Sequence, residues 1–348
     1  MKTSFVSNLA VQNAMRLTLQ QSQLELMKLQ QEMTTGVYAD TGTALGSTTS
    51  RSINLRTELD RLKNIKDTNA LATQRLSASQ GALTTMRDSV QQIRSQLISA
   101  KGTEDKGKLD TAHTTFVNQM SAFTAAANTQ FNNEYVFSGI NSDVRPLTDY
   151  SAGSPAKAAY DTALANFQAA NGNVQLKDFT PAQMNDFIKN SLEPMFLGSG
   201  WQGTWSQASD QNIQTRIGPS EVIETSSNTN TTGVRQFMMA AVISLELMKP
   251  ELSTAARDTA LSAAQDHLES GLTGIIQMGA QIGVSEGRIK SSNSSIDNQV
   301  KLINTHILDI EGVDPTETSS RLTALKTQIE ISYTLTARIQ ELSLINYL

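Results

Sequence analysis

Both ends of this chain carry long apolar heptads, and its middle does not. From Leu55 onward, apolar residues recur at alternating spacings of three and four. One heptad position holds Leu55, Leu62, Asn69, Leu76, Leu83, Val90 and Leu97, and its partner position holds Ile65, Ala72, Ser79, Met86, Ile93 and Ala100. This pattern predicts one helix of roughly 70 Å that pairs with other helices in a left-handed sense. A single polar residue on such a seam, Asn69, is expected to fix the register of the pairing.

A second set of helices is predicted on either side of the middle segment. Lys101, Gly102 and Gly107 indicate a tight reversal, followed by a shorter seam of Leu109, His113, Phe116, Met120, Phe123 and Ala127. Toward the other end, an apolar run stops at Pro250, and a long helix is predicted to begin near Ser253 or Thr254. Its later part has the seam Ile296, Val300, Ile303, Ile307 and Ile310, and Gly312 to Pro315 end it.

The two terminal arms each show one apolar stripe. Because such a helix is marginal alone, the natural partner of each arm is the other arm or a neighbouring molecule. The predicted assembly interface comprises Met15, Leu19, Leu26, Leu29, Met33, Leu325, Ile329, Leu335, Ile339, Leu342, Leu344 and Leu348.

The middle, residues 141–230, is predicted to be a small α+β domain. Short helices are expected over Lys157–Ala170 and Pro181–Leu192, followed by a hairpin of Ile213–Ile217 with Val222–Thr225. Trp201 and Trp205 are expected in its core.

The predicted fold class is therefore mainly α, a long antiparallel helical bundle formed by both chain ends with a small α+β insertion. The predicted order is an inner arm 1–45, half of a helical rod 46–140, the inserted domain 141–230, the other half of the rod 231–311 and a second inner arm 312–348.

Composition excludes several classes of function. The chain has 348 residues, 39% hydrophobic and only 5% aromatic, which suits seams of Ala, Leu, Ile and Met better than one compact globule. Its 28 basic and 33 acidic residues are well mixed, so no basic patch predicts nucleic-acid binding. No apolar run is long enough to predict a membrane span.

The absence of cysteine and the character of the first residues bear on export. Without Cys, a disulfide scaffold, a Cys-ligated zinc site and a Cys nucleophile are all excluded. The beginning, Met1 to Phe5, has no basic region followed by an apolar core, which predicts no cleavable secretory signal. These observations leave two alternatives, a cytoplasmic protein or a protein exported by a route that reads no cleaved signal.

No pattern of residues predicts catalysis. His113, His267 and His306 are scattered, and no phosphate loop, nucleophile elbow or dinucleotide fingerprint occurs. We therefore predict no catalytic, cofactor-binding or metal site and no enzymatic activity. A ladder of Gly279, Gly283 and Gly287 is interpreted as a place of close helix packing.

Several segments together resemble one family, the flagellin-like proteins of the bacterial hook–filament junction. The ending Thr336–Leu348, above all Leu-Ser-Leu-Ile-Asn-Tyr-Leu from Leu342, is similar to the family's C-terminal signature. The stretches that begin at Val313 (Val-Asp-Pro-Thr-Glu-Thr-Ser-Ser-Arg-Leu-Thr), Glu134 (Glu-Tyr-Val-Phe-Ser-Gly), Gly279 (Gly-Ala-Gln-Ile-Gly-Val-Ser-Glu-Gly-Arg-Ile) and Met33 (Met-Thr-Thr-Gly) resemble further family segments. The resemblance is weak across 141–230, and 37–50 lacks the Asp-Asp-Pro-type segment usual after Thr-Gly.

The resemblance implies a structural adapter of the bacterial flagellum, exported by the flagellar type III apparatus to the outside of the cell. It implies partners in the first junction protein, in flagellin, in further copies within a helical lattice and in a cytoplasmic export chaperone that holds the C-terminal arm. The alternative is flagellin itself, which has the same arms but usually a different ending. A chemoreceptor-like signalling rod would need an uninterrupted hairpin and a membrane anchor, which the sequence does not show.

Overall fold

A computed structural model describes residues 8–345 of the chain, with side chains described for 10–338. The helices are α1 (Asn8–Thr35), α2 (Thr41–Leu45), α3 (Thr49–Ala100), α4 (Lys106–Ala127), α5 (Pro155–Ala170), α6 (Pro181–Asp186), α7 (Glu193–Phe196), α8 (Thr232–Glu246), α9 (Thr254–Glu311) and α10 (Pro315–Ile345). A π-helical segment, Phe187–Leu192, joins α6 to α7, and 3₁₀ turns occupy Gly46–Thr48 and Leu176–Asp178. The structure is 73% helical, which confirms the predicted fold class.

The only strands among residues 8–345 form two short antiparallel hairpins. Strand β1 (Gln130–Phe131) pairs with β2 (Glu134–Tyr135), and β3 (Gln214–Arg216) pairs with β4 (Val222–Glu224). The second hairpin lies where the sequence predicted one, with Thr215 opposite Ile223.

The chain divides into two compact units. Unit 1 combines residues 1–63 with 296–348, and unit 2 is the continuous stretch 64–295. Within unit 1 lie α1, α2, α10, the beginning of α3 and the end of α9. The predicted middle segment, 141–230, belongs to unit 2.

From Ala72 onward, the heptad seam of α3 lies in the core of unit 2. Met86, Val90, Ile93 and Leu97 have no exposed surface, and they share one apolar cluster with the seam of α4 and nearly all of α8. The seam residues were recognisable because a 3,4 spacing keeps side chains on one face of a helix.

The reversal predicted between Lys101 and Gly107 is also present. Asp105 caps α4 by accepting hydrogen bonds from Gly107 N at 2.9 Å and Lys108 N at 3.3 Å. The cap fixes where the chain enters α4 after the turn.

The middle segment shares the apolar cluster of unit 2 instead of enclosing a separate one. Trp201 and Trp205 are fully buried, as predicted, and lie with parallel rings beside Phe196. Ser154 caps α5 and Thr180 forms a capping box with Gln183 at the start of α6. These caps explain why both short helices begin close to their predicted residues.

The closest helix packing found at a glycine lies outside the ladder of Gly279, Gly283 and Gly287. A Cβ atom on Gly274 of α9 would lie 2.4 Å from the Cα atom of Gly233 on α8, whereas one on Gly287 would meet nothing within 4 Å. Gly279 and Gly283 do lie against Gln80 of α3 at ordinary van der Waals distance, but the ladder did not predict the closest approach, because spacing along one helix does not show which turn meets another helix. The crossing of α8 and α9 brings the backbones of Gly233 and Gly274 into contact.

Candidate assembly interface: the paired terminal helices

The helices at the two ends of the chain pack against each other in unit 1. At one end of the pair, Val37 and Gly312 form an antiparallel bridge. Further along, Gln23 Nε2 donates to the Tyr333 hydroxyl at 2.7 Å, and Thr336 Oγ1 lies 4.0 Å from Met15 Sδ. Because residue numbers fall in α1 as they rise in α10, the two helices are antiparallel.

The predicted assembly residues divide by burial. Leu29 and Ile329 are buried, and Met15, Leu19, Leu26 and Leu325 are half-buried. The stripe of α1 therefore meets α10 within one chain, at the seam between the arms.

Two of the predicted residues are exposed. Met33 is 41% exposed and Leu335 is 46% exposed. Ile339, Leu342, Leu344 and Leu348 lie outside the residues whose side chains the structure describes. The use of this set between molecules remains a prediction.

A second apolar stripe runs along the outer face of each arm, and sequence reasoning had named only one of its members, Leu335. On α1 it consists of Leu17 (61% exposed), Leu24 and Met27, and on α10 of Ile331 (57% exposed) and Leu335. Leu17 follows Met15 by two residues, which is about 200° around a helix, so it projects away from the α1–α10 seam. The seven-residue spacing of Leu17 and Leu24 indicates this outer stripe in the sequence. It was overlooked because the stripe that faces the other arm, here called the inner stripe, has the stronger apolar pattern.

Unit 1 is unusually rich in exposed apolar side chains. Ten of the eighteen large exposed hydrophobic residues in the described part of the chain lie in this unit, which is a third of the sequence. Scattered exposed apolar residues need no explanation, but a concentration on one part of a molecule indicates an interaction surface. The outer stripes are the surface best suited to contact another molecule.

A buried carboxylate lies at the root of the arms. Glu311, the last residue of α9, is 1% exposed at its side chain and accepts hydrogen bonds from Ser52 Oγ and from the Arg56 guanidinium, both on α3. The hydrogen bonds from Arg56 hold the pKa of the Glu311 carboxyl below its usual value, against the opposing effect of burial. At neutral pH the Glu311 carboxylate is therefore charged, and both of its oxygens accept hydrogen bonds.

The histidines do not form a site together. His113 is half-buried on the face of α4 and His306 is half-buried on α9. His267 Nδ1 lies 2.5 Å from Gln236 Oε1, and burial lowers the pKa of its imidazole. Within residues 8–345, no group of three or more His, Cys, Asp or Glu side chains is placed to hold a metal ion. None of the helices in that range has an apolar stretch sufficient to cross a membrane.

The paired ends and the outer apolar stripes are features of a helical protein suited to association through its terminal helices. Comparison of the sequence with models of protein families identifies the family. Residues 6–142 match the model of the bacterial flagellin N-terminal helical region, and residues 266–348 match that of the bacterial flagellin C-terminal helical region. The chain belongs to the flagellin-like family, and it is a structural protein of the bacterial flagellum.

A solved structure supports the fold. A chain from Vibrio parahaemolyticus, assigned as a flagellar hook-associated protein, superposes with a TM-score of 0.53 at 9% sequence identity. The match covers 76% of this chain and 97% of that one. No curated protein sequence matches the chain significantly.

Proposed function

We propose that this chain is hook-associated protein 3, the adapter at the hook–filament junction on which flagellin polymerises. The observation that carries this assignment within the family is the ending Leu342–Leu348, which resembles the C-terminal signature of junction proteins. The Vibrio parahaemolyticus match supports a hook-associated fold. The protein acts through its arms and carries out no chemical reaction.

The mechanism follows from the two apolar faces of each arm. The inner stripe joins α1 to α10 within one molecule, and the outer stripe contacts arms of neighbouring molecules. Fully burying a leucine side chain stabilises by about 2 kcal/mol, so several outer residues per molecule provide an adequate driving force. A contact between unlike surfaces that does not close on itself generates a helical lattice, into which a ring of adapter molecules fits.

The adapter role implies specific partners. One face of the ring would contact the first junction protein and the other would contact flagellin. Before assembly, an export chaperone would hold the C-terminal arm, and the flagellar type III apparatus would carry the chain out of the cell without a cleaved signal. The lack of cysteine suits this route, because no disulfide can form in the unfolded chain.

Flagellin itself is the second candidate, because flagellin has the same terminal helical regions. Electron microscopy of flagella from cells lacking this chain, with an assay of flagellin in the medium, separates the two. We expect bare hooks and flagellin shed into the medium. Bare hooks without such flagellin would identify the chain as the filament subunit, and normal filaments would contradict both assignments.

A further inference from the structure

A cavity of about 640 Å³ opens on unit 2. Four parts of the chain line it: α4, the loop before α5, the first turn of α5, and the end of α8 with the residues that follow it. Its volume lies in the range of cavities that hold small organic molecules. The proposed function acts through the terminal helices and makes no use of this cavity.

One part of the lining is apolar. Val117, Met120 and Leu245 contribute to it together with the ring of Tyr150. Met120 and Leu245 are buried, whereas Val117 is exposed. A concave apolar surface that is partly open favours the apolar body of a small ligand.

The polar part of the lining centres on Glu246, a buried carboxylate. Tyr150 Oη donates to Glu246 Oε1 at 2.9 Å, and Lys249 Nζ donates to Oε2 at 3.0 Å. Burial and the neighbouring Glu246 carboxylate raise the pKa of the Tyr150 hydroxyl, so this hydroxyl keeps its proton and donates it to Glu246. Lys157 Nζ lies 3.5 Å from Glu246 Oε1 and also pairs with Asp161.

The hydrogen-bonding capacity left over in this part of the cavity consists of donors. An ammonium group has three N–H donors, and Lys249 uses only one of them on Glu246. Both Glu246 oxygens already have partners. The cavity therefore suits a ligand group that accepts hydrogen bonds.

A buried hydroxyl in the same lining has no hydrogen-bond partner in the described part of the chain. Thr124 is 3% exposed, and its Oγ1 does not donate to the preceding turn of α4 as the hydroxyls of Thr111 and Thr115 do. Buried polar groups are rarely left without a partner. The partner of Thr124 can come from the cavity that this residue lines.

We propose that this cavity binds a small molecule with an apolar body and one carboxylate group. The apolar body lies against Val117, Met120 and Leu245, and the carboxylate accepts hydrogen bonds from Lys249 and Thr124. A carboxylate suits these groups because it only accepts hydrogen bonds and carries the charge opposite to that of an ammonium group. The site does not depend on the assembly of the arms, so this proposal and the proposed function can fail separately.

Isothermal titration of the full-length chain with phenylbutyrate tests the proposal, with phenylbutyramide and phenylbutylamine as probes of similar shape. We expect one phenylbutyrate per chain, binding about tenfold weaker for the amide, and still weaker binding for the amine. Because the Tyr150 ring stacks on Trp205 with centroids 5.7 Å apart, binding should also change the tryptophan fluorescence. A Kd above about 1 mM for phenylbutyrate, or equally tight binding of the amine, would overturn the proposal.

Thr124→Val removes the unpartnered hydroxyl and keeps the shape of the side chain. We expect no loss of stability in urea unfolding, because no hydrogen bond of the free chain is lost, and about tenfold weaker binding of phenylbutyrate. Thr115→Val is the matched control, since Thr115 is a half-buried residue of the same helix that does not line the cavity. Unchanged affinity in Thr124→Val would contradict the proposed site, as would an equal fall in Thr115→Val.

Lys249→Gln tests the charge separately from the hydroxyl. It removes the ammonium group but keeps an amide donor, and Glu246 retains Tyr150 and Lys157 as partners. We expect the tenfold preference for phenylbutyrate over phenylbutyramide to disappear, while urea unfolding verifies that unit 2 remains folded. An undiminished preference would show that Lys249 does not hold the carboxylate.

Discussion

At the scale of single residues, the informative positions are polar groups in apolar surroundings. Asn69 is fully buried on the α3 seam, and its Nδ2 donates to Ile217 O at 2.9 Å and to Asn293 Oδ1 at 2.7 Å. The sequence identified Asn69 as the polar residue of the seam. It gave no indication that the segment beside the β3–β4 hairpin supplies one acceptor, because that partner lies 148 residues away.

Glu311 makes unit 1 sensitive to acid. The pKa of Glu311 is lowered in the fold by its hydrogen bonds with Arg56, so the unfolded chain takes up the proton first as the pH falls. The stabilisation is fully present above 4.5, the ordinary pKa of a glutamate carboxyl, and is lost as the pH falls through the lower folded value. Arg56 remains charged throughout, and Asp60 is the other acidic group that acts on it.

The measurement is hydrogen exchange of the described part of unit 1 between about pH 6 and about pH 3, a range that spans the pKa values of carboxyl groups, corrected for intrinsic rates. We expect protection to fall with pH in the native chain and to fall less steeply in Glu311→Gln, which cannot ionise at this position. Parallel pH profiles for the two proteins would show that other carboxyl groups dominate the acid response.

At the scale of elements, the position of a helix crossing decides which glycines are needed for close packing of two helices. Gly233 and Gly274 bring the backbones of α8 and α9 together, and Gly271 packs beside Phe237 at the same crossing. The helices of unit 2 could be predicted from periodicity, but the turn at which α8 crosses α9 could not. The crossing depends on the packing of the whole α8 surface, which is almost entirely buried.

Gly274→Ala and Gly287→Ala should have opposite effects. In Gly274→Ala the new methyl would meet the Gly233 backbone, so we expect a loss of at least about 2 kcal/mol in the stability of unit 2. Gly287 faces open space on the same helix, and its replacement by alanine should stabilise by up to about 1 kcal/mol.

Urea unfolding followed by tryptophan fluorescence measures this difference, since Trp201 and Trp205 both lie in unit 2. Equal effects of the two substitutions would mean that the close approach of α8 and α9 does not constrain the fold.

At the scale of the whole molecule, the proposed function depends on surfaces that a single chain leaves unburied. The inner stripes of α1 and α10 pack against each other, whereas Leu17, Leu24 and Ile331 remain exposed on the outer faces of these helices. Exposed apolar side chains contribute little to the stability of a single molecule. Under the proposed function, their burial by neighbouring molecules stabilises the assembly.

Ile331→Asp should therefore block assembly without unfolding the chain. Ile331 is 57% exposed, so the aspartate costs little in the monomer but places a charge in the proposed contact between molecules. The measurement is the number of filaments, by electron microscopy, on cells in which the variant replaces the natural protein. We expect a loss of at least about tenfold.

The matched control is Thr323→Asp, an exposed polar position on another face of α10 whose hydroxyl donates only to Ser319 O of its own helix. The amount of each variant in the medium must be equal, so that a defect in export is not mistaken for one in assembly. Full filament numbers with Ile331→Asp would exclude the outer stripe from the assembly contact.

Periodicity, capping residues and breakers by themselves determined the long helices, the reversal after α3, the hairpin near residue 220 and the burial of both tryptophans. These features depend on residues close together in the chain, where helix and turn geometry fix the neighbours. Only the tertiary structure decided which apolar stripe faces the other arm, which glycines meet and what Asn69 and Glu311 bind. Those outcomes depend on residues from 41 to 321 positions apart, and a local pattern carries no information about such partners.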